Sequence, residues 1–186
     1  FGYFIENEFG FRQVFRERRQ AAGLPTGVYF TDFGANAINT AGDGAFAAGF
    51  SDGGVQGIGG EGVWTNVGGD YSLIAYDGGH VAGAPTNLTF QYFTRMAIND
   101  AGQTAFTAGL RRKTSIANEG HGIWLHSEGS LQLVARERDQ APGLPAGTNY
   151  DSFFPYEPLL NSAGQMAYQA RLTGTGVTTE NQYSLW

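Results

Sequence analysis

Asn99-Asp100-Ala101-Gly102-Gln103-Thr104-Ala105-Phe106 is the stretch that decides the fold, because its frame occurs three times. Asn39-Thr40-Ala41-Gly42 with Ala45-Phe46 precedes it, and Asn161-Ser162-Ala163-Gly164 with Ala167-Tyr168 follows it. The steps from Asn39 to Asn99 and from Asn99 to Asn161 are 60 and 62 residues. Two further markers keep this phase. Gly62-Val63-Trp64 returns as Gly122-Ile123-Trp124 and, weakened, as Ser184-Leu185-Trp186. Ala22-Gly23-Leu24-Pro25 returns as Ala82-Gly83-Ala84-Pro85 and Pro142-Gly143-Leu144-Pro145. Three independent markers in one phase define an internal repeat. Its units run over about 2–61, 62–121 and 122–183 of one array, with 184–186 beginning a fourth tryptophan strand.

Each unit reads as four short strands. Gly122 to Leu125 is apolar and ends in the turn His126-Ser127-Glu128-Gly129, and Leu131 to Ala135 alternates as a second strand. Two prolines and two glycines make Ala141 to Gly147 a loop. A third strand runs to Leu159-Leu160, the counterpart of Ala37-Ile38 and Ala97-Ile98. The Asn-x-Ala-Gly that follows is a hairpin turn in which Asn and Gly are expected to take positive φ. A fourth strand alternates Ala105, Thr107, Gly109 against Phe106, Ala108, Leu110. The helix-like run Glu8 to Ala22 aligns with Leu131 to Ala141 and is therefore read as strand plus loop. Small residues at Ala45, Ala105, Ala167 and at Ala48, Ala108, Ala170 are expected to share one close-packed face, with Phe46, Phe106 and Tyr168 opposite. Trp64, Trp124 and Trp186, with Phe33, Phe93 and Phe153, read as core residues clamping adjacent units.

The expected class is all-β: three four-stranded repeats as β-propeller-like blades, a half-propeller or fragment, since propellers typically close with 4–8 blades. A β-trefoil closes with three units and is the alternative, although about 60 residues per unit is long for one. Asn39, Gly42, Asn99, Gly102, Asn161, Gly164 and the three tryptophans are the structural positions of the repeat.

Composition narrows the function. The 186 residues hold 11 Lys+Arg against 17 Asp+Glu, a net charge of −6, which disfavours nucleic acid and anionic membranes as partners. No apolar run approaches the roughly 20 residues of a membrane helix, so membrane insertion is not expected. With no cysteine, disulfides, thiolate metal sites and cysteine nucleophiles are absent. Lys113 is the one lysine, and this scarcity of charge beside 29 glycines suggests a secreted β-protein. The chain starts at Phe1 without a methionine or leader, as a processed chain or a fragment would.

Val134-Ala135-Arg136-Glu137-Arg138-Asp139-Gln140-Ala141-Pro142-Gly143-Leu144-Pro145, together with the Asn99 to Phe106 frame and the Gly-x-Trp strand, carries a family resemblance. The chain resembles, over its whole length, the bacterial tandem-repeat proteins named for N-x-x-G-x-x-A-F, which are grouped with choice-of-anchor surface proteins. The departures are Tyr76-Asp77-Gly78-Gly79-His80 and Tyr168, and no anchor segment is seen. The resemblance implies a propeller-like repeat and an extracellular or cell-surface address. It carries over no activity.

Enzyme signatures are scarce. His80, His121 and His126 form no H-x-x-x-H or H-E-x-x-H pattern and read as solvated loop residues, and no nucleophile elbow or P-loop is present. Gly57 to Gly62 lacks the helix a dinucleotide loop requires. Glu17, Asp77 and Glu137 fall one per unit after the second strand, where a radial array would ring a channel with carboxylates able to bind cations or act as acid/base pairs. The plainer expectation pairs Glu17 and Glu137 with Arg16, Arg18, Arg136 and Arg138. A Ca²⁺ site drawn from Asp32, Asp52 or Asp151 lacks D-x-D-x-D-G spacing, so no cofactor is assigned.

Binding is better motivated. The segments 51–61, 111–121 and 173–182 differ strongly between units on a common frame, which suits recognition. Arg111-Arg112-Lys113 is the one basic cluster, and Tyr29, Tyr92, Tyr150 and Tyr156 are candidate aromatic surface for a glycan. The expectation is a non-catalytic extracellular structural or adhesive module. Its partners are further copies of itself, as a closed oligomer or a filament, and a glycan or cell-surface protein. The alternatives are a propeller-type polysaccharide hydrolase or lyase using Glu17, Asp77 and Glu137, and a trefoil-like lectin.

Overall fold

Short apolar runs separated by glycine turns give strands throughout. The computed structural model describes residues 2–7, 10–69, 71–115, 117–153 and 157–186, with 2–15 described by backbone alone. The first strands are β1 (Gly2–Asn7) and β2 (Gly10–Arg16), an antiparallel hairpin. A first four-stranded meander follows, of β3 (Tyr29–Ile38), β4 (Gly44–Ser51), β5 (Gly59–Thr65) and β6 (Ser72–Tyr76). A second comprises β7 (Leu88–Ile98), β8 (Thr104–Arg112), β9 (Asn118–Ser127) and β10 (Ser130–Arg136). The last sheets pair β11 (Thr148–Ser152) with β14 (Gln169–Gly174) and β15 (Tyr183–Leu185), and β12 (Leu159–Leu160) with β13 (Met166–Ala167). All pairings are antiparallel, and among the described residues there is no α-helix. The sheets close into neither a barrel nor a propeller among those residues, so the closed barrel of a trefoil is not formed.

The helix-like arginine run is strand β2 followed by a turn over 17–19, as the alignment requires; Glu8 and Phe9 lie outside the described residues. The turns after β3, β7 and β12 take positive φ at Gly42 (82°), Gly102 (75°) and Gly164 (79°). The asparagines do not, and their work is different. The side-chain oxygen of Asn39 accepts the Asp43 N–H at 2.8 Å, that of Asn99 the Gln103 N–H at 3.0 Å and that of Asn161 the Gln165 N–H at 2.9 Å. Each asparagine thus caps its own turn rather than bending it.

Packing is layered. Trp64 stacks on Phe46 with ring centroids 5.8 Å apart and meets Phe30 edge-on at 4.9 Å; Trp124 repeats this with Phe106 at 6.0 Å and Phe90 at 5.0 Å. Both tryptophans are fully buried, each such side chain contributing roughly 1.5–3 kcal/mol through burial. The opposite face of the first sheet, Ala45, Ala47, Val63 and Ala75, packs on the aromatic layer of the second sheet, Phe90, Phe106 and Trp124. Ile123 and Ala135 of the second sheet likewise meet Tyr150 and Phe153. Strand parity therefore corrects the expected small-residue face: Ala48 lies with Phe46 and Trp64, and Ala45 lies on the other side.

The Gly-x-Trp triplet has a steric cause. A Cβ at Gly62 would stand 2.7 Å from the Trp64 ring, and one at Gly122 would stand 2.5 Å from the Trp124 ring. Residues i and i+2 share a strand face, so the indole folds back over its own glycine. Its N–H then donates to a loop carbonyl, Trp64 to Ala22 at 2.8 Å and Trp124 to Ala82 at 3.1 Å. Ser184 puts a side chain in that seat, and the buried Nε1 of Trp186 has no partner.

Candidate functional site

The chemistry-bearing side chains gather at the seam between the two four-stranded sheets and within the second of them. Glu61 sits on β5 of the first sheet and reaches the second, its Oε2 accepting the Phe93 N–H at 3.0 Å. Phe93 stands where β7 departs from regular pairing, between register shifts at 90/92 and 94/96. Burial, with the charges of Asp32 and Asp77 nearby, pushes the Glu61 carboxyl above the usual carboxylate range, against the pull of the Phe93 N–H. Asp77 ion-pairs with Arg111 at 2.7 Å, and burial raises its carboxyl despite that guanidinium.

Sixty residues on, the same three positions carry different chemistry. Asp32, Glu61 and Asp77 are replaced by Tyr92, His121 and Glu137. The Tyr92 hydroxyl and His121 Nε2 are 2.6 Å apart, and His121 Nδ1 and a Glu137 carboxylate oxygen are 2.8 Å apart. The His121 and Glu137 side chains are only 14% and 11% exposed, so the array is held out of bulk water. Burial, and then the Glu137 charge, raises the Tyr92 hydroxyl above its ordinary value. His121 is thus a strand residue between a phenol and a carboxylate, not the solvated loop residue expected from sequence. His126 is also on β9; burial lowers its pKa, and its Nδ1 is buried without a partner.

The sequence-derived candidates separate as follows. Glu17 follows β2, Asp77 crosses to Arg111 of the second sheet and Glu137 meets His121 within that sheet, and among the described residues no three His, Asp or Glu side chains are grouped to hold a metal ion. The plainer pairing is corrected at Glu137: Arg136 bonds Asp139, and Arg138 bonds Glu119 at 2.8 Å, leaving Glu137 to His121. Asp151 holds Arg171, and Asp52 accepts backbone N–H groups of its own loop, so neither stands with Asp32. Arg111, Arg112 and Lys113 line an open groove of about 680 Å³, but Arg111 is paired with Asp77 and Arg112 with Glu119 at 2.6 Å. Tyr150 is no surface platform: it is 2% exposed, and its hydroxyl lies 2.8 Å from that of Tyr168. Tyr92 is tied into the His121 array, Tyr29 is 45% exposed, and Tyr156 lies outside the described residues.

Glu61, Asp32 and His121 went unread as a set because each looks ordinary alone. The signal was available in the 60-residue steps from Asp32 to Tyr92, Glu61 to His121 and Asp77 to Glu137, which put side chains of changing chemistry at fixed positions of the frame.

The chain belongs to a family of unknown function, DUF7453, whose model matches residues 1–186. No curated protein and no solved structure gives a match. Among the described residues no helix is long and apolar enough to cross a membrane.

Proposed function

We propose that this chain is a non-catalytic structural or adhesive module of the cell exterior, whose sheets are sectors of a propeller-like array that assembles with further copies of itself. One observation carries the reading. The face of each sheet that meets the next is buried at Val63 (0% exposed) and Ile123 (1%), yet the corresponding Leu185 is 72% exposed. Tyr183 (68%) and Leu159 (67%) stand beside it on the last sheets. The first two sheets satisfy this face with aromatic-layered sheet, so the occupant that suits the third is more sheet of the same repeat, which a second copy can supply in a sample of these 186 residues. Two arrays closing on each other give a ring of six, and unclosed addition gives a filament. The near absence of lysine, the low share of charged residues and the choice-of-anchor resemblance support the external address.

The absence of catalysis in this reading follows from how the polar groups are spent: Asp77, Glu61 and Arg111 tie the two four-stranded sheets together, and Glu137 holds His121 within the second. Sedimentation of the wild-type chain against Leu185→Glu tests the assembly. The wild type is expected to form a larger species that the variant loses, and identical monomeric profiles would overturn it.

A second reading has its own observation. Tyr92, His121 and Glu137 form a phenol–imidazole–carboxylate relay of the kind that moves protons in polysaccharide cleavage. It replaces the carboxylate ring as the enzymatic alternative. A screen of acidic and neutral polysaccharides with the wild type and His121→Ala decides it: turnover lost in the variant establishes this reading, and no turnover by the wild type removes it.

A further inference from the structure

A cavity of about 560 Å³ opens where the first strands of the two four-stranded sheets adjoin, and its lining is unlike the other seams. Two irregularities build it. β3 shifts register between Phe33 and Asn36, and β7 shifts between Thr94 and Met96, at corresponding places in the two sheets. An extra residue in each strand bends it away from its neighbour, a device that re-aims side chains.

Arg95 is the extra residue at this second shift of β7, and it carries φ 47°. The other non-glycine residues at positive φ, Arg18, Glu128 and Arg138, lie in turns; Arg95 alone of these four lies within a strand. Such a conformation is unfavourable for a residue with a Cβ and persists only where its surroundings impose it. Its guanidinium is turned to Glu157 from 62 residues later, at 2.7 Å.

The groups facing the cavity are mixed in kind. Glu61 offers a carboxylate of which only Oε2 is engaged, by the Phe93 N–H. Asn36 brings an amide that donates to the Gly34 carbonyl at 3.2 Å, and Arg95 brings unspent N–H donors. Ligand sites are concave, of roughly 300–1,000 Å³, with a few convergent polar groups among apolar ones. An anion would meet Glu61 and Glu157, and a simple cation would meet Arg95. A neutral polyol meets neither obstacle, because each hydroxyl both donates and accepts.

We propose that this cavity binds one neutral sugar residue of a glycan, with Glu61 accepting from its hydroxyls and Arg95 donating to them. The proposal deepens the adhesive reading above and rests on it for the kind of ligand.

The test uses saturation-transfer NMR and calorimetry on the whole chain with glucose, galactose, mannose, N-acetylglucosamine and their disaccharides, and putrescine as a cationic probe. Binding by at least one sugar is expected. It should fall at least tenfold in Glu61→Gln, which keeps an acceptor for Phe93, and in Arg95→Gly, which removes the guanidinium and accepts φ 47° without strain. Lys113→Gln, in the other groove, should bind unchanged. Sugar binding that both cavity variants retain would overturn the site while leaving the adhesive reading in place. No sugar binding, or binding of putrescine alone, would overturn the ligand class. Light scattering on the same samples reports self-association independently, so the two proposals fail separately.

Discussion

The side-chain amide of Asn39 donates to the backbone carbonyl of Asn99 at 3.0 Å, across 60 residues of sequence. Asn99 repeats the contact to Asn161 at 2.9 Å. Beside them the Thr40 N–H and hydroxyl both donate to Asp100, at 2.9 and 2.7 Å. The three turns that define the repeat are therefore bonded to one another. One residue type closes each turn and sets the spacing to the next, which is why Asn recurs where Gly alone would make the turn.

Asn99 is the rung with the most to lose. It is 5% exposed, accepts from the Ala101 and Gln103 N–H groups, and donates to Asn161 and to the Gln103 side chain. Replacing Asn99 by Ala removes these part-buried bonds together, and should cost about 1–3 kcal/mol. The same change at exposed Asn161 should cost less. Urea unfolding of the two variants measures the difference, and equal losses would remove the ladder's structural role.

The indole seat gives a second prediction. Gly122→Ala places a methyl 2.5 Å from the Trp124 ring and 3.1 Å from the Ala135 carbonyl, so the indole must leave its position. A destabilisation of roughly 1–3 kcal/mol is expected, with red-shifted tryptophan emission. Gly129→Ala meets no atom within 4 Å and strains only its φ of 76°. It should be the milder change, with unaltered emission.

Glu61 makes stability depend on pH in a definite direction. Its folded-state pKa lies above its ordinary value of 4.5, so the folded chain binds a proton before the unfolded chain does. Above the folded-state value, the native state carries a charge it disfavours. As pH falls through that value towards 4.5, this cost disappears. Glu61→Gln should therefore melt higher than the wild type at pH 8, with a gap that closes on acidification. Thermal melts from pH 8 to 4.5 check this, and a gap independent of pH would contradict it.

How much of this was legible in sequence depends on the kind of interaction. Strands, turns and buried tryptophans were readable because apolar alternation, glycine turns and the 60-residue phase are local or repeated signals. The two faces of β4 were misread at Ala45 and Ala48 because a spacing of three was set above the two-residue period of a strand. Tyr150 was taken for surface because an aromatic ring and a hydroxyl suit either place. Only the strand pairing puts that ring against Phe153 and Trp186, with its hydroxyl on Tyr168. The Arg95 bulge left no trace, since a positive φ at arginine follows from the pairing of β7 with β8 and not from residue preference.

The central claim is that the open face of the last sheets is an assembly surface, and its most direct test is the particle mass by light scattering across a hundredfold range of concentration. The account predicts a rise from the chain mass of 19.9 kDa to twice that value, or to a growing series, and its loss in Leu185→Glu. A wild-type chain that stays at 19.9 kDa throughout would contradict it.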